Sequence, residues 1–238
     1  MNPLILLTLA STSTYSSALE WPHEMVVRVN DYRQRENLPP LKAHPNLMQA
    51  SQSYAEFMAS KEHYGHYGSD GSDPDGRAKA SGFLQPVGEN IAANQSDPQE
   101  VVIAWMNSTG HRKNILSKDY RYVGAGFSQN EKSKLYKRLW VMNYSWGDQG
   151  NPLIIDLDAY STQDDTVDLY VYASKDAKDM RFRLGDGEWS EWTPYSPQSQ
   201  FKLAGELGEK LIQSQVRSRS GKTVSSEDSI FWVPQVKK

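Results

Sequence analysis

Residues 97–116, DPQEVVIAWMNSTGHRKNIL, are followed by YVGAGF at 122–127 and by LWVMNYSW at 139–146. In the first segment Asp97 suits a helix cap and a proline takes the first helical position, which predicts a helix that Gly110 ends. The other two segments alternate with a period of two, as strands do. Helices followed by antiparallel strands indicate an α+β domain.

The two strands carry further expectations about packing. Gly124 and Gly126 in the first strand predict that another backbone or a ligand approaches closely. The second strand should bury the face formed by Trp140, Met142, Tyr144 and Trp146.

Two more helices are predicted before this region. One runs from about Pro22 to Glu36, where Pro39 and Pro40 prevent its continuation. The other begins at Pro45, since proline is favoured in the first turn of a helix. The stretch at residues 63–68 leaves the C-terminal boundary of this helix undefined.

Composition excludes several classes of protein. The 238 residues contain no cysteine, which rules out disulfide scaffolds, iron–sulfur clusters, cysteine nucleophiles and cysteine-ligated zinc. The formal net charge of −3 gives none of the basic footprint expected of a nucleic-acid binder.

The apolar run at residues 3–10 is far shorter than the roughly 20 residues that span a bilayer. It is typical of the apolar region of a signal peptide, and the small residues at 16–18 suit cleavage after Ala18. We therefore predict that residues 1–18 direct export. The alternative is a native N-terminus, because no Lys or Arg precedes the run.

Beyond a turn at residues 147–152, short strands separated by turns predict a β-sandwich over residues 151–234. The strand candidates are 153–160, 166–173, 180–184, 188–192, 201–203, 210–219 and 229–233. Val167, Leu169 and Val171 should face the core. The motif WSEWTPY at 189–195 resembles a cytokine-receptor signature, which we treat as coincidence. Its tryptophans are expected in the core; the alternative is that they are exposed and stack on sugars.

Three motifs surround ionisable residues. His66 lies in GHYGSDG, Glu89 in GENIA and His111 in WMNSTGHRKNIL, each read as a turn flanked by glycine. Two imidazoles and a carboxylate suit a zinc ion with open positions for water. Alternatively, Glu89 orients one of the histidines from outside the coordination sphere.

Residues 21–146 resemble the CAP superfamily (cysteine-rich secretory, antigen five and pathogenesis-related proteins; the SCP-like domain) in its cysteine-free bacterial form. The matching motifs are VNDYRQRENLPPL, the His66 segment with DGR at 75–77 and SGF at 81–83, GENIA, WMNSTGHRKNIL, VGAGF and WVMNY. The resemblance implies a three-layer α-β-α sandwich over residues 21–147 and secretion. The second domain is similar to immunoglobulin-like or fibronectin-type modules.

In that family two histidines and two glutamates line a cavity that can hold a divalent metal. His66, Glu89 and His111 match three of these positions. At the fourth this chain has Ser108, and its neighbour Asn107 is not acidic either. The missing carboxylate puts any role that needs a carboxylate pair in doubt.

We therefore expect an extracellular binding or interaction protein rather than an enzyme. Its partner would be a lipid, an envelope component or another extracellular protein, and zinc or another divalent metal would bind His66, His111 and Glu89. One alternative is a metal-assisted hydrolase of peptides or cell wall with Glu89 as catalytic base. Another is an adhesin that binds through the β-sandwich.

The remaining candidates are expected to be structural. His63, His23 and His44 are interpreted as surface or solvated residues, and Ser108 lacks the surroundings of a nucleophile. The alternating acids Asp70, Asp73 and Asp75 suggest either a solvated loop or a calcium site without the distal Glu of an EF-hand.

Overall fold

The computed structural model of the chain describes residues 13–147 and 150–235. The apolar run at 3–10, on which the signal-peptide prediction depends, lies outside these residues. Among the described residues, no helix combines the length and the apolar character needed to cross a membrane.

The N-terminal part contains five helices and one four-stranded sheet among the described residues. In chain order its elements are α1 (Ser13–Arg35), β1 (Lys42–Ala43), α2 (Pro45–Lys61), α3 (Pro74–Ala80), β2 (Gly88–Ala93), α4 (Pro98–Met106), α5 (Thr109–Ile115), β3 (Tyr122–Gln129) and β4 (Arg138–Ser145). The strand order is β1-β3-β4-β2, with β1 parallel to β3 and the other pairs antiparallel.

Helices cover both faces of this sheet, so the arrangement is the predicted α-β-α sandwich. Trp140, Met142 and Tyr144 of β4 pack in one core with residues of α1 and α4, as predicted for that face. Leu139 and Val141 point the other way and pack against α2. The inclusion of Trp146 was wrong, because β4 ends at Ser145 and this indole is 44% exposed.

Several local predictions fail where the chain changes direction. Helix α1 begins before Pro22, which lies inside it. Gly110 does not end α4, which stops at Met106; the chain turns through an extended residue and Gly110 then lies inside α5. The GENIA motif is strand β2 rather than a turn, and α3 had no predicted counterpart.

The C-terminal part is a sandwich of two sheets. Its strands are β5 (Leu153–Ile155), β6 (Ser161–Thr162), β7 (Thr166–Val171), β8 (Ala177–Leu184), β9 (Thr193–Pro194), β10 (Gln198–Lys202), β11 (Gly208–Ser218) and β12 (Thr223–Trp232). One sheet has the order β10-β7-β5 and the other β6-β12-β11-β8-β9. Val167, Leu169 and Val171 lie in the shared core, as predicted. The immunoglobulin or fibronectin likeness stays a prediction.

Two tryptophans expected in the sandwich core lie instead on the outer face of the larger sheet. The Trp189 ring contacts the guanidinium groups of Arg183 and Arg181 at 4.7 and 4.9 Å. The Trp192 ring contacts those of Arg181 and Arg217 at 4.5 and 4.3 Å. The predicted strand at 188–192 is a loop, and cation–π stacking on arginines of β8 and β11 holds its indoles half-buried.

A buried cation joins the two parts of the chain. Lys42 Nζ lies 2.5 Å from a carboxylate oxygen of both Asp158 and Asp228. Asn30 of α1 adds a second link, since its side-chain amide donates to the carbonyl of Leu157 at 2.8 Å. Lys42 thus takes both of its carboxylate partners from the C-terminal part.

The close approach predicted at Gly124 and Gly126 is confirmed. A Cβ atom on Gly124 would lie 2.1 Å from the backbone carbon of Leu47 in α2, and one on Gly126 would lie 2.3 Å from that of Ser51. No real Cβ contact is this short, so only glycine allows α2 to lie on β3 at this distance.

We expect the substitution Gly126→Ala to lower the free energy of unfolding by about 3 kcal/mol, because the new methyl group meets rigid backbone rather than a movable side chain. Urea denaturation measures the change. Gly110→Ala is the matched control. A Cβ there meets nothing within 4 Å, and alanine in a helix should raise stability by up to about 1 kcal/mol. Equal stabilities for the two variants would contradict the close approach.

Candidate functional site

A buried carboxylate forms the centre of the site. Glu89 lies on β2 with its side chain only 2% exposed. One carboxylate oxygen lies 2.9 Å from His66 Nδ1, and the other accepts a hydrogen bond from the guanidinium of Arg77 at 2.8 Å. The structure therefore brings His66 and Glu89 together, although the two are far apart in sequence.

Arg77 of α3 is the site residue to which sequence reasoning gave no role. Its guanidinium carbon lies 3.4 Å from the ring centre of Tyr54 in α2. The same group donates to the carbonyls of His66 and Ser72, each at 3.0 Å. Arg77 thus fixes both the carboxylate and the backbone that carries the histidine. Its only sequence signal was the DGR segment among the family motifs.

His111 lies one turn into α5, half-buried, rather than in a turn between glycines. The side-chain amide of Asn90 donates to the His111 carbonyl at 3.1 Å, and that of Asn114 donates to the Asn90 side-chain oxygen at 2.9 Å. Because Asn90 follows Glu89 on β2, these bonds hold the histidine helix beside the strand with the carboxylate.

The two imidazoles differ in their affinity for a proton. The hydrogen bond to Glu89 raises the pKa of His66 above its usual range, outweighing its partial burial and the charge of Arg77. Burial lowers the pKa of His111, and the charge of His66 lowers it further.

The donor atoms around Glu89 determine whether the predicted metal fits. Among the described residues, no group of three or more His, Asp or Glu side chains could hold one ion. Both oxygens of Glu89 are engaged by His66 and Arg77, so this carboxylate does not fit the role of a direct metal ligand. It fits the alternative role of orienting a histidine through Nδ1. The two imidazoles remain as donors for a metal, and the metal site stays a prediction.

The same engagement bears on the predicted catalytic role of Glu89. A general base must accept a proton on a free oxygen within reach of the substrate. Here one oxygen is occupied by an imidazole nitrogen and the other by a guanidinium. This geometry disfavours hydrolysis with Glu89 as base.

An apolar groove of about 420 Å³ begins beside His111. Tyr64 and Tyr136, stacked with ring centres 5.4 Å apart, belong to its lining. The other lining residues are Ile91, Ala92, Ala93, Asn94 and Gln95 of the β2 region, and Ala104, Trp105 and Ser108 of the α4 region.

Ser108 and Asn107, the two residues predicted to lie beside the metal cavity, line different cavities in the structure. Ser108 lines the groove together with His111. Asn107 is exposed and lines a different cavity, beside Arg112 and Lys113.

The remaining candidates have structural roles. His44 accepts a hydrogen bond from the Asn46 amide at the start of α2, and His23 packs on Tyr160, so neither is simply solvated. His63 is half-buried and bonds the Tyr67 carbonyl.

The acidic residues proposed for calcium are likewise engaged by the backbone. Asp70 accepts from the Ser72 amide, Asp73 caps α3 by accepting from Gly76, and Asp75 accepts from Val87. These hydrogen bonds account for the positions of the three carboxylates, and none of the bonds requires a bound cation.

Comparison with known proteins identifies the class. The profile of the family described as "CAP: Cysteine-rich secretory protein family" matches residues 26–144, half of the 238-residue chain. The protein belongs to this family, as its motifs indicated.

Two curated relatives come from Bacillus subtilis (strain 168). "Uncharacterized protein YkwD" is 35% identical over 124 residues, which is 52% of this chain and 48% of the relative. "Uncharacterized membrane protein YlbC" is 29% identical over 112 residues, 47% of this chain and 32% of the relative. The matched region spans about a third to a half of these relatives.

Solved structures show weaker likeness. An extracellular protein containing a SCP domain from Bacillus anthracis str. Ames gives a TM-score of 0.49 at 24% identity, covering 57% of this chain and 44% of that one. An outer surface protein from Borrelia burgdorferi gives a TM-score of 0.47 at 19% identity, covering 52% of this chain and 91% of that one.

We expect Glu89→Gln to lower the pKa of His66, because the substitution removes the charged acceptor that favours the imidazolium. NMR titration of the imidazole resonances measures this directly. Glu100→Gln is the control, since that exposed carboxylate bonds only the start of α4. An unchanged His66 titration in Glu89→Gln would contradict the ion pair.

The same pair predicts a dependence of stability on pH. Because the folded-state pKa of His66 is raised, its contribution to stability is fully present below the unfolded value of about 6.5. It is lost as pH rises through the folded-state pKa, and this part of the pH profile should be absent in Glu89→Gln.

Proposed function

We propose that the protein acts outside the cell as a binding module, and that its ligand lies in the groove beside His111. The family is described as secretory, which supports the extracellular location. The observation that carries the proposal is an open apolar groove lined by His111 and by strand β2, whose carboxylate, Glu89, already has both oxygens engaged by His66 and Arg77.

The chemistry of the groove favours a ligand with an apolar body, such as a lipid chain. Its walls combine Trp105, Ile91 and small alanines, which offer apolar surface without filling the space. Gln95 Oε1 is buried there and accepts no hydrogen bond from the described residues. A donor on the ligand would satisfy this oxygen and fix the ligand's direction.

A divalent metal is the second part of the proposal. His66 and His111 would hold it through their imidazoles, with Glu89 orienting His66 from behind. Arg77 would keep Glu89 in place. A bound metal would supply a Lewis-acidic contact for a polar group of the ligand.

The proposal that the groove binds a ligand can be tested by a substitution that fills the groove with a large side chain. Ala104 lies on the groove side of α4 and is exposed, so Ala104→Trp should block the apolar ligand without disturbing the core. Native mass spectrometry of protein purified from its own secretions should show an apolar adduct on the wild type that the variant lacks. The control is Ile103→Trp, on the same helix but lining a different cavity. An equal adduct on both variants would place the ligand elsewhere.

The metal is tested by calorimetry. The double variant His66→Ala/His111→Ala should bind zinc at least about tenfold more weakly than the wild type, a loss of about 1.4 kcal/mol or more. His63→Ala is the control, because this nearby histidine hydrogen-bonds the Tyr67 carbonyl and packs on the Phe57 ring, and it has no contact with Glu89 among the described residues. Equal zinc affinity in the wild type and the double variant would reject the metal site and leave the groove proposal standing.

A further inference from the structure

A second cavity lies where the two parts of the chain meet. It has a volume of about 670 Å³, within the range of small-molecule sites, and such sites favour domain interfaces. One wall is the end of α1 with the segment after it, and the other is the three-stranded sheet. It is lined by Gln34, Asn37, Leu38, Pro39, Pro40, Ile154, Leu157, Asp168, Leu169, Tyr170 and residues 197–200. We call it the junction cleft.

The outer face of the three-stranded sheet forms one wall of the junction cleft. Strand register aligns Ile154, Tyr170 and Gln198 in one row across β5, β7 and β10. Asp168 and Gln200 form the next row, and the Gln200 amide donates to the Asp168 carboxylate at 3.0 Å. Neighbouring strands lie about 4.8 Å apart, so Gln198, Gln200 and Asp168 lie close to the Tyr170 ring, whereas Ile154 on its other side is apolar and buried.

The Tyr170 ring on this wall is held in place by neighbouring side chains. Tyr170 packs edge-to-face on Tyr172 with ring centres 5.0 Å apart. The Tyr172 hydroxyl donates to the Pro40 carbonyl at 2.8 Å, and the Arg121 guanidinium lies 4.7 Å from its ring centre. These contacts fix Tyr170 as a half-buried platform that needs no ordering when a ligand binds.

The opposite wall combines two amides, Gln34 and Asn37, with the apolar residues at 38–40, and it carries no charge. Gln34 and Asn37 are exposed at the end of α1, and their side-chain amides, like that of Gln198, make no hydrogen bond with the described residues. An amide both donates and accepts hydrogen bonds, so it pairs well with hydroxyl groups.

The charges of the residues that line the junction cleft indicate which class of ligand it would bind. Among the described residues no Lys or Arg lines the junction cleft, and its one carboxylate, Asp168, disfavours an anion. Amides on both walls disfavour a purely apolar ligand, because they would be desolvated without partners. A neutral polyhydroxyl ligand fits both conditions. The ring of Tyr170 offers an apolar surface to the C–H groups of a sugar, and the amides offer partners to its hydroxyls.

We propose that the junction cleft binds a neutral saccharide chain, with Tyr170 as its stacking platform and Gln198, Gln200 and Gln34 as its hydrogen-bonding groups. The site is separate from the His66–Glu89 pair and does not rest on the function proposed above. Because one wall comes from each part of the chain, the site requires both parts.

The test uses the full chain and four neutral tetrasaccharides as probes: cellotetraose, chitotetraose, mannotetraose and maltotetraose. Calorimetry should show saturable binding of at least one, with a Kd at or below about 1 mM. Tyr170→Ala should weaken that binding at least about tenfold, while Tyr170→Phe keeps the ring face and should stay within about threefold. Tyr67→Ala is the matched control, because Tyr67 is 71% exposed and lies outside the cleft.

A second variant separates binding from folding. Gln198→Ala/Gln200→Ala changes only exposed side chains, so it should fold normally and bind the same saccharide at least about tenfold more weakly. Saturable binding to none of the probes, or equal binding by wild type and both cleft variants, would overturn the proposal. So would binding of an extended hexapeptide mixture in place of saccharide, since β10 is an edge strand that could pair with a peptide.

Discussion

The contact between α2 and β3 determines where the site residues stand. Gly124 and Gly126 leave no side chain between strand and helix, so the helix backbone rests on the strand. Tyr54 lies further along the same helix, fully buried, and its ring supports the Arg77 guanidinium. Arg77 in turn bonds Glu89. The position of the charged network thus follows from the packing of one helix on one sheet.

A buried carboxylate imposes the next constraint. Removing Glu89 from water is unfavourable unless its charge is paired and hydrogen-bonded. Arg77 and His66 supply one partner for each oxygen. Both oxygens of Glu89 are therefore engaged, and His66, 48% exposed, is the member of the pair that faces solvent. No described residue hydrogen-bonds the other imidazole nitrogen of His66, which is the one that the proposed metal would use.

Much of the fold could be predicted because its signals are local. Pro45 and the Asp97 cap mark helix starts, and the alternation in β7 fixes the face that Val167 and Leu169 bury. The failures concern residues whose environment is set from a distance. Gly110 looks like a helix end, yet α5 continues through it.

The site was predictable only in part, for the same reason. Motif resemblance selected His66, Glu89 and His111, but spacing says nothing about which side chains meet. Arg77 lies on α3, a helix that the sequence did not reveal, and its role depends on a ring contributed by α2. Trp189 and Trp192 were expected in the core because the local sequence does not show which residues contact them. The arginines that stack on their rings lie on other segments of the chain.

The link between the two parts carries backbone strain as well as charge. Asp156, Leu157 and Asp158 all have positive φ angles (45°, 60° and 71°), a conformation that costs about 1–3 kcal/mol for each residue other than glycine. Such a turn persists only where contacts fix it. Lys42 bonds the Asp158 carboxylate, and Asn30 bonds the Leu157 carbonyl.

These contacts come from the N-terminal part, whereas the strained turn belongs to the C-terminal part. Lys42 also needs Asp228, because a cation this buried requires carboxylates from the second part for its charge. Sliding one part over the other would break the ion pairs and release the strained turn together. The two walls of the junction cleft are therefore held at a fixed separation, which is the condition for a preformed binding site.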